Sequence, residues 1–347
     1  MRDSKRTRLG AALAAGALAL AVAAPAMAGE DAITKIGYAS PEAAVDFGWN
    51  QEGLTATQAA ADSIGAEVIP ADGAGYGDVG PTLNSLKDDG AQFIIAQASG
   101  YGAPAIAFAQ ETGIPVLVWE QPDQITPGLV GDAETRNQEG GYLAGVLAAT
   151  MTQTDVLGIV LSASGDPNWQ KGAGGFIAGA RSVNPDIVVH RAAISADGYG
   201  DESGGKLVTE QIIALGADIV FGMGNGSSFG MLSAVETTTP EGADQAWFID
   251  IIGDKTSIDE QGVLLSSVLW DFSVAFTQAV DDLAAGTYGE EVYVLDAANG
   301  GMTLLDTPNI SDEGRAAVEA ARAAIADGSV TVPETPTEAE VQALVDA

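Results

Sequence analysis

The chain has 347 residues, with 48 Asp and Glu against 14 Lys and Arg, a formal net charge of −34, a 46% hydrophobic fraction and no Cys. So acidic a surface excludes a design for nucleic-acid phosphates or anionic lipid, and the apolar fraction excludes disorder as the global state. Without Cys there is no disulfide or thiol chemistry and no lipid anchor through Cys, and with a single His no metal site built on those two ligand types.

Residues 1–28 read as a signal peptide: Arg2, Lys5, Arg6 and Arg8 precede an Ala/Leu/Val run over 9–24, and Ala26-Met27-Ala28 is a small-x-small cleavage site. The remainder then carries 10 basic and 47 acidic residues. No later apolar run is long enough to span a membrane, so an exported globular protein on the periplasmic or outer face of the cell envelope is expected.

Apolar, β-rich runs follow at 35–39, 66–70, 92–96, 115–119, 155–161, 186–190, 218–222, 246–252 and 263–269. Ala-rich helical patterns lie between them near 50–64, 79–89, 103–112, 136–150, 171–182, 204–215, 228–236 and 271–285. This alternation predicts an α/β protein whose parallel sheets are covered by helices, and a change of rhythm near 150–155 predicts two Rossmann-like lobes around a cleft. The expected division is 29–152 for the first lobe, with about 271–300 crossing back to it, and 153–270 for the second, with about 301–328. An acidic Pro/Thr-rich tail over 329–347, before a short helical end, is expected to pack loosely or to link to nothing visible. Hinges are expected near 150–155 and 268–272, with cleft closure around a ligand.

In such lobes ligands sit beyond the carboxyl ends of the strands. The first of these loops, residues 45–53, offers Asp46, Trp49 and Asn50 at a helix N-terminus: a carboxylate, a flat aromatic and an amide suited to a planar polar ring. Local sequence fits equally well a Trp49 that staples the helix and an Asp46 that caps it. Later post-strand loops bring Tyr101, Glu120, Trp169, Asn225, Asp254 and Trp270. Four of the five Trp lie in these loops or at strand ends, Trp247 being the exception, which favours an aromatic-lined pocket.

Asp46-x-x-Trp49-Asn50-Gln51 followed by Gly53 resembles the first-loop motif of the basic membrane protein family, the PnrA-like purine-nucleoside-binding proteins of ABC importers. Glu139 with Tyr142-Leu143-Ala144-Gly145, Phe176 to Ala180 with Asn184-Pro185, Gly216-Ala217-Asp218 and Gly253-Asp254 are similar to its later motifs, in the same order over roughly 30–305. The resemblance implies the type I periplasmic-binding-protein architecture, a small-molecule ligand that is a purine nucleoside or nucleobase, delivery to an ABC permease in the membrane, and a role for Asp254 at the ribose. One departure stands out. The family's Ser-x-x-Lys reads Ser267-Val268-Leu269-Trp270 here, which removes a ligand-contacting Lys and raises a free base beside the nucleoside.

Other chemistry is weaker in the residues. Gly226-Ser227-Ser228-Phe229-Gly230 matches the G-x-S-x-G nucleophile elbow, but the single His, His190, precedes it in the chain where a hydrolase needs one after it. An oxygen-only Ca²⁺ site stays open for so acidic a chain. The expectation is a monomeric binding protein, not an enzyme, with no cofactor, no metal and no nucleic-acid partner; a type I sugar-binding protein and, behind it, an α/β hydrolase using Ser228 are the alternatives. Within the cleft, Trp49 is expected to cover one face of a purine and Trp169, or else Phe176, the other, with Asn50 reading the ring edge.

Overall fold

The computed structural model describes residues 33–195 and 198–347; the leader lies outside them. In chain order it runs β1 (Lys35–Ala39), α1 (Trp49–Ile64), β2 (Glu67–Ala71), α2 (Gly80–Asp88), β3 (Phe93–Ala96), α3 (Gly102–Thr112), β4 (Val116–Trp119) and β5 (Val130–Thr135). It continues with α4 (Asn137–Met151), β6 (Val156–Ala163), α5 (Pro167–Val183), β7 (Val188–Ser195), α6 (Glu202–Ala214), β8 (Ile219–Met223), α7 (Ser227–Thr237), β9 (Trp247–Ile252) and β10 (Leu264–Trp270). The last elements are α8 (Ser273–Ala285), β11 (Tyr293–Leu295), β12 (Met302–Leu304), α9 (Asp312–Ala326) and α10 (Glu338–Val345).

The strands form two six-stranded sheets with one plan. Their orders are β2-β1-β3-β4-β5-β11 and β7-β6-β8-β9-β10-β12, and every pairing is parallel except that of β10 with β12. The inner strands are continuous apolar runs because helices cover both faces; β3 and β4 are buried at every position. This is the doubly wound, two-lobed α/β architecture. In each lobe the strand order reverses at a crevice, between β1 and β3 in one and between β6 and β8 in the other, and ligands of such sheets bind there.

One boundary differs from the sequence reading. Helix α4 packs against α5, α9, β10 and β12 of the second lobe, so the first crossover lies at Arg136 and not near 150–155. The reason is a close helix pair. A side chain at Gly141 or Gly145 of α4, or at Gly175 or Gly179 of α5, would overlap the backbone of the other helix. The motif-like glycines are therefore a packing seam. The three crossing segments are also bonded to one another: Arg136 N–H donates to Leu295 O at 2.8 Å and Asp271 N–H to Gly301 O at 2.9 Å.

The tail does not pack loosely. Thr337 forms a capping box with Glu340 at the start of α10, Val341 is buried, and the Arg181 guanidinium donates to the Leu344 carbonyl. Upstream, Thr335 Oγ1 donates to Gln170 O at 3.2 Å, and Glu334 pairs with Arg136 at 2.6 Å. Among the described residues no helix is long and apolar enough to cross a membrane.

Candidate functional site

The loops at the two crevices face each other and enclose a cavity of about 160 Å³. A comparable ~150 Å³ apolar cavity holds a benzene ring. Pro41, Ala98 to Tyr101 and Glu120 line it from the first lobe, and Asp166, Asn168, Asn225 and Ile252 from the second. Trp49, Trp169 and Trp270 form its aromatic wall, with Tyr76 and Tyr199 beside them. The topology explains this membership. Trp49 opens α1 directly after the β1 loop, and Trp169 stands in the first turn of α5 directly after the β6 loop.

Each helix start is fixed by a local carboxylate. Asp46 accepts from the backbone N–H groups of Gly48, Asn50 and Gln51 at 2.9–3.2 Å, and Asp166 accepts from those of Asn168 and Trp169. Pro167 occupies the first turn of α5, where a missing N–H is harmless. The three indoles are inclined to one another: Trp49 and Trp270 are 6.1 Å apart at 79°, Trp169 and Trp270 6.0 Å at 49°. Two of their N–H groups are held, Trp49 Nε1 by Gln97 O at 2.8 Å and Trp169 Nε1 by Ser162 Oγ at 3.0 Å. Trp270 Nε1 is buried with no partner, and so is the Asn225 side-chain carbonyl oxygen. A buried polar atom without a partner costs about 1–3 kcal/mol, and here a donor and an acceptor without one both belong to residues that line the cavity.

The backbone is strained at the same place. Glu120 (φ 59°) and the β-branched Ile252 (φ 73°) both line the cavity in the left-handed region, and Phe47 (φ 48°) precedes α1. Such conformations cost of order 1–3 kcal/mol each and collect at ligand sites. Burial pushes the Glu120 carboxyl up, opposed by a hydrogen bond from Ser99, and the charge on Asp166 pushes it further. Behind it, burial raises Asp132 on β5 to about 7, against the lowering effect of the Gln121 N–H, with Glu134 and Glu120 adding repulsion.

The lobes are tied across the cleft by polar and aromatic contacts. Asn168 Nδ2 donates to Glu120 Oε1 at 2.8 Å, and Tyr76 lies against Tyr199. Lys255, fully buried and paired with Asp250, donates to the Phe47 carbonyl at 2.9 Å. A side chain at Gly253 would overlap that same carbonyl, so only Gly permits the approach.

Of the nine residues singled out in the sequence, Trp49, Tyr101, Glu120, Trp169, Asn225 and Trp270 line the cavity. Tyr101 does so with its hydroxyl already given to Gly75 O. Asp46 and Asn50 do not line it. Asn50 is fully buried, its Nδ2 donates to Asp46 and its Oδ1 accepts from Glu42 N–H, so its amide holds the loop instead of reading a ring edge. Asp254 is exposed in a neighbouring groove, where its Oδ1 accepts from Thr256 N–H. Phe176 is stacked on Phe221 in the second-lobe core, at 5.1 Å and 20°. Ser228 is fully buried and donates to Asp250, which is itself paired with Lys255, so it has neither a His base nor access to a substrate.

The sequence reading passed over Tyr76 and Tyr199. Their signal is a repeat, Gly-Tyr-Gly-Asp, at 75–78 and again at 198–201, each after the edge strand of its lobe.

Residues 33–335 match the family model described as ABC transporter substrate-binding protein PnrA-like. The chain belongs to this family, Bmp. The family is one of substrate-binding proteins and not of enzymes. An ABC transporter nucleoside-binding protein, BmpA, of Lactococcus lactis is 29% identical to this Bmp chain over 219 residues, 59% of this chain and 60% of the relative. A purine-binding protein of Brucella abortus is 26% identical over 193 residues, 54% of this chain and 53% of the relative. The chain thus spans between half and three fifths of the length of these curated relatives. Among solved structures, an ABC transporter solute-binding protein from Aeropyrum pernix aligns with a TM-score of 0.75 at 17% identity, covering 90% of this chain and 98% of that one. That likeness gives the fold, the type I periplasmic-binding-protein architecture.

Proposed function

We propose that this chain is an exported solute-binding protein that holds a purine nucleoside or nucleobase between its lobes and delivers it to an ABC permease. The observation that carries the reading is the cavity itself: three indoles, an unpartnered N–H donor on Trp270 and an unpartnered acceptor on Asn225. A flat, apolar-faced ring with a polar edge satisfies both at once. The nucleoside- and purine-binding names of two relatives support the same class.

Trp270 at the position of the family's Lys favours the free base. A cation that could hold sugar hydroxyls is replaced by an indole, and Asp254 lies outside the cavity. Calorimetry with adenine, adenosine, guanosine, ribose and galactose tests the reading. Saturable purine binding is expected, tighter for the base than for its nucleoside; saturable sugar binding with none for purines would overturn it.

A further inference from the structure

The charges around the cavity are one-sided. Two carboxylates, Glu120 and Asp166, line it, and no Lys, Arg or His is among its described lining residues. Lys171, Arg191 and Lys255 are each paired with a carboxylate, Glu334, Glu338 and Asp250 respectively, and of these the Lys171 charge still acts on Glu120, lowering it against the effect of burial. Asp166 is partly balanced by the α5 N-terminus and accepts from Tyr199 Oη at 2.7 Å, but Glu120 has only neutral donors, Asn168 and Ser99. Glu42, Asp132 and Glu134 stand behind these groups and add to the negative potential. The bare Asn225 oxygen, on a residue 6% exposed, is a further acceptor awaiting a donor.

We propose that the preferred ligand is a planar heteroaromatic cation, held among the inclined faces of Trp49, Trp169 and Trp270 with its positive charge toward Glu120 and Asp166. Aromatic faces carry negative potential, and a box of mutually inclined rings attracts positive charge where a parallel slot would merely sandwich a neutral ring. The geometry here is the former, with angles of 79° and 49°. The raised Glu120 carboxyl fits, since burial destabilises its charge and a bound cation would offset that. The same field repels phosphate, so nucleotides are excluded. This inference rests on the proposal that the cavity is a ring-binding site, and it narrows the ring by charge.

The test is calorimetry at pH 7 on the full chain with adenine and adenosine as neutral purines, 1-methyladenosine as a cationic purine, thiamine as a cationic heteroaromatic outside the purines, and AMP. The tighter cation is expected to bind at least tenfold tighter than the tighter neutral purine, with no binding of AMP. In Glu120→Gln, which keeps an oxygen for Asn168, that preference should shrink to within threefold. If thiamine binds and no purine does, the charge inference stands and the purine reading falls. If neutral purines bind as tightly as both cations, or if the preference survives in Glu120→Gln, the charge inference is overturned and the purine reading stands. Absence of binding by every probe overturns both.

Discussion

Tyr76 and Tyr199 lie nearly parallel across the mouth of the cleft, ring centres 6.2 Å apart and 19° from coplanar. Each is the second residue of a Gly-Tyr-Gly-Asp tetrapeptide following the edge strand of its own lobe, so one loop device used twice meets itself. Their hydroxyls are anchored on Glu42 at 2.8 Å and on Asp166 at 2.7 Å, which fixes both rings at the edge of the cavity they line. An aromatic pair contributes about 0.5–1.5 kcal/mol beyond its area. Tyr76→Ala should therefore raise the ligand dissociation rate by roughly two- to tenfold. Stopped-flow displacement reads it directly, and an unchanged rate would mean the pair plays no part in retention.

Trp49 and Asn50, adjacent in sequence, should separate in their effects. Trp49→Ala removes a ring of the cavity wall and is expected to weaken ligand binding by about 1–3 kcal/mol. Asn50→Ala leaves the Glu42 N–H without its acceptor and Asp46 Oδ2 without one of its donors, so it should lower stability by about 1–3 kcal/mol. Urea unfolding and calorimetry on the two variants would show whether the effects divide in this way.

The bare indole N–H of Trp270 gives a third test. Trp270→Phe keeps an aromatic ring beside Trp49 and Phe272 but removes the donor. Ligand affinity should fall about tenfold, the equivalent of one hydrogen bond near 1.4 kcal/mol. Equal affinity in the variant would place the ligand's acceptor elsewhere.

Lys255 joins the Asp250 carboxylate of the second lobe to the Phe47 carbonyl of the first. Lys255→Met would strand a buried carboxylate, at about 3–5 kcal/mol, and remove a contact present only when the lobes are together. Small-angle scattering should show the parent contracting on ligand addition and the variant with a larger radius of gyration at the same ligand concentration. Equal profiles would remove Lys255 from closure.

Asp132 predicts a pH dependence of known sign. Its folded-state value near 7 lies above the usual ~3.9 of an Asp, so the folded protein holds this proton where the unfolded chain releases it. The group lowers stability progressively as pH rises from about 4 to 7, and the full penalty applies above. Asp132→Asn, which keeps an oxygen for Gln121 N–H, should be more stable than the parent by on the order of 2 kcal/mol at pH 8. The gap should close toward pH 4. Denaturation midpoints at the two pH values measure it.

The alternation of strands and helices was legible because it is local. The runs at 35–39 and 218–222 need only their own side chains to declare a buried strand. Short β11 and β12, three residues each, were not legible, because their pairing with β5 and β10 is made by residues far away in the chain. Sequence placed Trp49, Trp169 and Asn225 near a site because post-strand loops converge in this topology whatever their composition. It could not divide Asp46 and Asn50 from Trp49, since capping and ligand contact use the same residue types; only the packed structure turned the amide inward to Glu42 and the indole face outward to the cavity. The crossover at Arg136 and the docking of the tail on α5 were decided by tertiary structure for the same reason. Both depend on surfaces, a glycine seam and a buried Thr335, that exist only once distant segments meet.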